Sequence, residues 1–530
     1  MVVKDGTVFT KEWVVSMMLD ISGYVPSNDL SSISILEPSC GEGAFLIPIV
    51  ERLLDSLRPS NVNVHSLEGS IKAFDLDPAK VLCTRQKINN LLIKKGFSIE
   101  DSKYLSNNWI QCGDFLTLDI QHLFDIVIGN PPYIKSADLD YDTRLCYKST
   151  LETMTMGTDI FVGFLEKGLK LLNADGKLCY ICADRWMQNS YGKKIRKFIL
   201  NNHSMDLICR MHDVDAFEEK VSAYPAIVLI NSSDKDTVFV DCSSSFNEND
   251  ATSLIKSLKT NDYSGNHSFQ ISSISNLDSS GGPWLLADTN TAQLISLLNK
   301  QYPSLEDTGV SIGIGVATGR DEVFITDKCD LVEDDRLLPL LCNKDIVSKS
   351  VPNNPLHWLI NPWNSEGNLV NLDSYPKLSE YYQTNFDALS SRHIVKKNSS
   401  QWYRTIDKIY ADLQTRPKLL FSDLSSRSDP IYDHGRFYPH HNLYWCTSDS
   451  WNLEALGGFF LSSQVESIID AYGVKMRGKT MRFQAQYLRM IHLPYPDRID
   501  EGNLNELKRA FLNRNRDMAS EIVSYIISEA

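Results

Sequence analysis

Between residues 30 and 230 the chain alternates short apolar runs with longer stretches whose apolar residues recur every three or four positions. Short Val-, Ile- and Phe-rich runs bounded by Gly, Pro, Asn or Asp predict strands, and the three-to-four spacing predicts amphipathic helices between them. Such alternation belongs to an α/β architecture with a doubly wound, mostly parallel sheet. The run ISIL (Ile33 to Leu36) enters Glu37-Pro38-Ser39-Cys40-Gly41-Glu42-Gly43 and is followed by AFLIPIVERLLDSL. A second strand, IKAFDLDP, ends at Asp75; QCGDFLTLD carries Asp114 and Phe115; FDIVIG runs into Asn130-Pro131-Pro132-Tyr133. DIFVGFLEKGLKLLNADGKLCYICADRW then reads helix, turn, strand, and FEEKVSAYPAIVLINSS reads as a last strand.

After residue 242 the pattern changes. Residues 243–282 are rich in Ser, Asn and Asp and predict a loop-rich connection between a first domain, 1–242, and a second, 283–530. Within the second, SIGIGVATGRDEVFIT predicts two short strands around a Gly-containing turn, and NLNELKRAFLNRNRDMASEIVSYIISEA predicts one amphipathic helix packed on that domain.

Composition narrows the setting. A chain of 530 residues should hold two or more cores, and 42% hydrophobic with 23% charged residues is ordinary for a soluble globular protein. The eleven cysteines are odd in number and scattered, which predicts reduced thiols and a cytoplasmic location. Cys179 and Cys182 have CxxC spacing but lie in a strand-like run without a second pair or a nearby His, so they are expected to be packing. No signal-peptide core and no run of roughly 18 apolar residues is present in the sequence. A net charge of −14 predicts weak non-specific affinity for nucleic acid. One stretch departs from it: Ala471 to Pro496 holds Lys475, Arg477, Lys479, Arg482 and Arg489 and no acidic residue.

The strand ends carry the candidate chemistry. An aromatic or amide NH₂ attacks poorly because its lone pair is delocalised. The Asn130 side-chain oxygen and the Pro131 carbonyl are two acceptors that can hold its hydrogens and favour a tetrahedral nitrogen. Pro131 and Pro132 stiffen the loop, and Tyr133 offers a ring for a planar substrate. A strand, a glycine turn at Gly41 and Gly43, and a helix place backbone N–H groups at the carboxyl edge of a sheet. Asp75 suits ribose hydroxyls, and Asp114 with Phe115 suits the edge and face of an adenine ring. The stretch has no GxGxxG phosphate cradle, so a dinucleotide is disfavoured. Glu218-Glu219-Lys220 lacks a spaced upstream acidic partner and is not read as a nuclease site. The adjacent His440 and His441 are expected to point in different directions, and no metal site is predicted.

These motifs, in this order, resemble the γ-class, TaqI-type adenine-N6 DNA methyltransferases of restriction–modification systems. The resemblance implies a Rossmann-like S-adenosylmethionine-dependent methyltransferase domain followed by a C-terminal mixed α+β target-recognition domain. It implies S-adenosylmethionine as cofactor, with Thr10, Glu37, Gly41 and Gly43 at the methionine part, Asp75 and Leu76 at the nucleoside, and Asp114 and Phe115 at the adenine. Lys11 stands where the family carries Pro after the Thr. Asn130, Pro131, Pro132 and Tyr133 are implied as the catalytic motif, with Tyr133 and Phe164, or its rival Phe161, against an adenine flipped from duplex DNA. RGKTMRFQAQYLRMIHLPYP resembles the family's closing stretch and implies DNA contacts from Lys475, Arg477, Lys479 and Arg482. A cognate restriction endonuclease of the same system, without a stable complex, and a monomeric or weakly dimeric enzyme are compatible with it. Cytosine-C5 chemistry would need a nucleophilic Cys, usually after Pro, and no Pro-Cys dipeptide occurs. An RNA adenine or protein glutamine methyltransferase, or an inactive DNA-binding subunit, remains as alternative.

Overall fold

The strands β1 (Ile35–Glu37), β2 (Ile71–Asp75), β3 (Ile110–Cys112), β4 (Phe124–Gly129), β5 (Leu172–Ala183), β6 (Ser204–Arg210), β7 (Pro225–Asn231), β8 (Thr237–Cys242) and β9 (Phe269–Ile274) form one sheet in the computed structural model. Their order is β3-β2-β1-β4-β5-β7-β6-β8-β9. The described residues are 8–57, 64–219, 224–233, 235–275, 277–473 and 481–529. The chain forms two units, Met1–Thr289 and Asn290–Ala530.

Pairing is parallel from β3 through β2, β1 and β4 to β5, with Ile35 opposite Ile71 on one side and Ile126 on the other. β7 inserts antiparallel between β5 and β6. The chain runs outward from β1 to β3 and then crosses back to β4 on the other side of β1. That reversal opens a crevice at the carboxyl ends of β1 and β4, where doubly wound sheets bind ligands.

Alternation along the strands builds the two cores. Ile126 and Ile128 of β4 and Cys179 and Ile181 of β5 belong to one cluster, whereas Val127, Leu178, Tyr180 and Cys182 belong to the other. Successive side chains leave a strand on opposite faces, so near-continuous apolar runs are what a sheet covered on both sides requires. The first face is covered by α1 (Glu12–Ser22), α2 (Leu46–Ser56), α3 (Pro78–Lys94) and α4 (Ile99–Trp109). The second is covered by α5 (Tyr141–Thr150), α6 (Ile160–Lys170) and α7 (Lys193–Asn202). Cys179 and Cys182, three positions apart, are buried on opposite faces as packing residues, and no cysteine is disulfide-bonded. The DLDP motif divides its labour: Asp77 accepts from the Ala79 N–H at 2.8 Å and Pro78 starts α3, which leaves Asp75 at the strand end.

Residues 243–282 differ from the expected loop-rich connection. They hold α8 (Glu248–Thr260) and β9, which extends the sheet through antiparallel pairing with β8. The polar composition misled because α8 is amphipathic with only Ala251 and Leu254 buried, and β9 is an edge strand.

In the C-terminal unit, β10 (Val310–Ile314), β14 (Lys418–Ser422), β16 (Ile431–Asp433) and β18 (Leu443–Ser448) make one sheet. β11 (Ile325–Thr326), β12 (Leu337–Leu341), β13 (His357–Ile360) and β17 (Tyr438–Pro439) make a second, and β15 (Leu424–Ser425) pairs with β19 (Met481–Arg482). Between β10 and β11 the expected turn contains one helical turn, Asp321–Phe324. The expected single C-terminal helix is two, Glu501–Leu512 and Arg516–Ser528. They are separated where Arg514 adopts φ +54° and the Asn515 side chain accepts from Met518 N–H at 3.1 Å. No helix among the described residues is long and apolar enough to cross a membrane.

Lys418 begins β14 fully buried, its Nζ donating to Asp433 Oδ2 at 2.9 Å and to the Phe437 and Gln414 carbonyls at 3.1 and 3.2 Å. Removing one partner strands a charge, whereas removing both does not. Asp433→Ala should therefore destabilise the C-terminal unit by about 3–5 kcal/mol, and the double variant Lys418→Met/Asp433→Leu by much less. Urea denaturation of the full chain checks this, and equal losses for the single and double variants would contradict it.

Candidate active site

A cavity of about 520 Å³ opens at the carboxyl ends of β1, β2 and β4. Its walls include Thr10, Glu37, Gly41, Asp75, Leu76, Asp114, Phe115, Asn130, Pro131, Pro132, Tyr133 and Phe164. Residues spread over 155 positions of sequence thus share one chamber. Gly43 is the exception among those expected at it. Gly41 has φ +49° and a Cβ there would meet nothing within 4 Å, so it borders open space. At Gly43, φ is +93° and a Cβ would sit 3.2 Å from Thr84 Cγ2, so this glycine shapes the turn against α3 instead.

Asn130 follows the last residue of β4. Its Nδ2 donates to the Val8 carbonyl at 2.9 Å and to Thr10 Oγ1 at 3.1 Å. A carbonyl oxygen only accepts, so this pairing settles which end of the amide is nitrogen. The other end, Oδ1, is buried with no hydrogen-bond partner. An unpaired acceptor in a cavity wall is costly to the fold, and it is ready for a donor on a ligand.

A second orphaned acceptor stands on the neighbouring strand. Glu37 is 2% exposed and its Oε2 has no partner. Burial, and secondarily the charge of Asp75, hold its carboxyl well above the usual range. Asp75 Oδ2 accepts from Gly41 N–H at 2.8 Å and Oδ1 from Asp77 N–H at 2.9 Å. These bonds aim the carboxylate and leave it further lone pairs. Asp114 is held likewise, Oδ1 accepting from Leu116 N–H at 3.0 Å and Oδ2 from the Tyr147 hydroxyl at 3.1 Å. Tyr147, on α5, also lines the cavity and was missed from sequence. Its only signal was a place on the buried face of a helix capped by Asp140.

The aromatic rings divide along the cavity. Phe164 lines it, whereas Phe161 is not among the lining residues. The Phe164 ring lies 5.2 Å from that of Phe115 at 31°. Tyr133 meets Phe217 edge-on at 6.3 Å, a contact the sequence did not suggest, and its hydroxyl is buried without a partner. Burial raises the Tyr133 phenol well above its ordinary pKa, so it stays neutral. Cys40 also lines the cavity, but burial, followed by the charges of Glu37 and Asp75, pushes its thiol up, so it makes a poor nucleophile.

In the C-terminal unit Arg482 donates to Asp423 at 2.6 Å, while Lys475, Arg477 and Lys479 lie outside the described residues. His440 and His441 do not point apart. Their rings converge, centroids 4.0 Å apart, with His440 Nε2 3.0 Å from His441 Nδ1 and 3.2 Å from Asp321 Oδ2. Burial and the neighbouring His441 lower the His440 pKa. His440 Nδ1 is buried without an acceptor for the proton that metal ligation through Nε2 would leave there. Asp321, His440 and His441 nonetheless offer ligand atoms that all lie within 4.8 Å of one another.

Known proteins share this arrangement of sequence and fold. The Eco57I restriction-modification methylase family matches residues 56–217. The chain is similar to the type II methyltransferase M.PaeR7I of Pseudomonas aeruginosa, 37% identical over 96% of this chain and 89% of that protein. It is 35% identical to M.BstVI of Geobacillus stearothermophilus, over 99% of this chain and 95% of the relative. M.XhoI of Xanthomonas vasicola is 32% identical over 97% and 95%. Among solved structures, the type IIL restriction-modification enzyme MmeI in complex with DNA superposes with a TM-score of 0.58 at 11% identity. That match covers 94% of this chain and 66% of that one, and it bears on the fold alone.

The Glu37 carboxyl sets a pH dependence of stability. A carboxyl whose folded pKa is raised contributes no penalty below its ordinary value of 4.5, and stability is lost as pH rises toward the folded value. Glu37→Gln should therefore be more stable than the parent at pH 8, with the gap shrinking toward pH 5. Denaturation midpoints of both proteins across that range test it, and a gap independent of pH would refute the assignment.

Proposed function

Because the chain belongs to the type II methyltransferases of restriction–modification systems, we propose a specific reaction for this DNA methyltransferase: methyl transfer from S-adenosylmethionine to N6 of an adenine extruded from duplex DNA. The observation that carries the proposal is the Asn130 amide, its nitrogen tied to Val8 and Thr10 and its oxygen free at the cavity.

The residues present fit the cofactor. Glu37 Oε2, buried and unpartnered, suits an ammonium group that would supply the missing donor and neutralise the carboxylate. Asp75, with Leu76 beside it, would accept from ribose hydroxyls, and Asp114 and Phe115 would take the edge and face of the adenine. Thr10 and Gly41 border the same space and would lie at the methionine part. When bound, S-adenosylmethionine supplies a methyl group on a sulfonium, which needs only a nucleophile in line.

The chain's own work is to prepare that nucleophile. Asn130 Oδ1 and the Pro131 carbonyl accept the two amino hydrogens and draw the nitrogen's lone pair out of the ring. Pro131 and Pro132 hold the acceptors still, so little reorganisation is needed as charge develops on nitrogen. Extruding a base costs a few kcal/mol, offset in part by stacking on the Tyr133 ring. Phe164, packed on Phe115, would border the base from the cofactor's side. No covalent enzyme intermediate is required, in keeping with the unreactive thiol of Cys40. The C-terminal unit would read the DNA sequence, with Arg482 and the basic stretch containing Lys475, Arg477 and Lys479 as contact candidates.

Losing the Asn130 acceptor should cost about 3 kcal/mol in the transition state, roughly a hundredfold in rate. Asn130→Ala should bind S-adenosylmethionine as the parent does yet methylate DNA roughly a hundredfold more slowly, measured by calorimetry and by methyl transfer to duplex DNA. Sequencing DNA from cells expressing the parent should reveal N6-methyladenine at one recurrent motif. N4-methylcytosine there, or full turnover by Asn130→Ala, would overturn the assignment.

A further inference from the structure

Asn130 is held by the short segment that precedes α1. Val8 and Thr10 lie 122 and 120 positions from Asn130, yet they take both hydrogens of its amide. The segment is itself fastened: Thr10 forms an antiparallel bridge with Phe217, Lys11 N–H donates to the Ala216 carbonyl at 3.0 Å, and Glu218 N–H donates to the Phe9 carbonyl at 2.9 Å. Thr10 is 5% exposed, so water cannot readily replace its hydroxyl as acceptor. A carboxamide can turn end over end, and on a bare strand end its oxygen and nitrogen would compete for the cavity. Here the exchanged orientation sets oxygen against the Val8 carbonyl, losing that hydrogen bond and opposing two acceptors, whereas the Thr10 hydroxyl can pair with either end of the amide.

We infer that Thr10 is a positioning residue for the methyl-transfer step: its hydroxyl holds the Asn130 amide in place while the acceptor-only Val8 carbonyl turns the amide oxygen toward the substrate amine. This rests on the function proposed above and gives Thr10 a task separate from any contact with cofactor. It also explains an amide in place of a carboxylate at position 130. A carboxylate would retain an acceptor for the substrate but would face the Val8 carbonyl, which needs a donor, with a second oxygen.

Four variants test it in the full chain, each read for S-adenosylmethionine affinity by calorimetry and for kcat on duplex DNA. Thr10→Val keeps the shape and removes the acceptor. It should lower kcat roughly 10-fold, the scale of one lost hydrogen bond, and the loss should persist at saturating S-adenosylmethionine. Thr10→Ser restores the hydroxyl and should restore kcat. Asn130→Asp keeps an acceptor toward the substrate yet should lose at least as much kcat as Thr10→Val. Weakened cofactor binding with unchanged kcat in Thr10→Val would make Thr10 a cofactor contact only and overturn the inference. Near-parental turnover in Asn130→Asp would overturn it equally, and that result stands even if Thr10→Val fails to fold. Asn130→Ala separates the two levels: if it is inactive while Thr10→Val and Asn130→Asp are fully active, the lock fails and the proposed reaction survives. If Asn130→Ala is itself active, the reaction fails first.

Discussion

Burying an oxygen acceptor without a donor is the constraint around which the N-terminal unit is arranged. Two such atoms, Glu37 Oε2 and Asn130 Oδ1, stand at the carboxyl ends of β1 and β4, the adjacent strands between which the chain reverses direction across the sheet. Each costs the fold about 1–3 kcal/mol for as long as it is unmatched. A fold keeps such atoms only when its surroundings over-determine them. Here the Asn130 amide is pinned by Val8 and Thr10, and Glu37 is closed in by burial on a central strand. The penalty is recovered when a ligand brings the donors, so the same atoms that weaken the empty scaffold would favour binding and orient the reacting amine.

The scaffold tolerates that cost because its cores are extensive and divided. Alternating residues of β4 and β5 feed two apolar clusters, one on each face of the sheet, and helices close both. No strand end can move far without disturbing packing on two sides. Polar atoms at the rim are tied across strands as well: the Cys40 N–H reaches the Phe74 carbonyl at 2.8 Å, and Gly41 N–H reaches the Asp75 side chain. Site geometry is therefore carried by the sheet itself, and the chemistry at Asn130 inherits that rigidity.

Much of this was legible in the residues. The four strand-end motifs, their order, and the α/β class follow from local rules: apolar runs of strand length, a glycine turn before a helix, and Pro78 after a capping Asp77. The motifs that misled did so for identifiable reasons. A polar stretch at 243–282 hides α8 and β9 because an amphipathic surface helix and an edge strand need few apolar residues. The long C-terminal pattern keeps helical periodicity across its break, which depends on a left-handed residue, Arg514, that periodicity does not register. Lys418, one of several basic residues in the C-terminal half, is not at the surface at all but paired with Asp433 inside it.

By itself the sequence determined which residue types stand at each strand end, since these obey spacing rules that act within about a dozen positions. Tertiary structure alone decided how those side chains are aimed. Which way the Asn130 amide turns depends on the Val8 carbonyl, more than a hundred residues away; Tyr147 reaches Asp114 from a helix with no motif; His440 meets Asp321, 119 positions earlier in the chain. A hydrogen bond is set by distance and angle in space, and chain order carries no record of either until the sheet has closed.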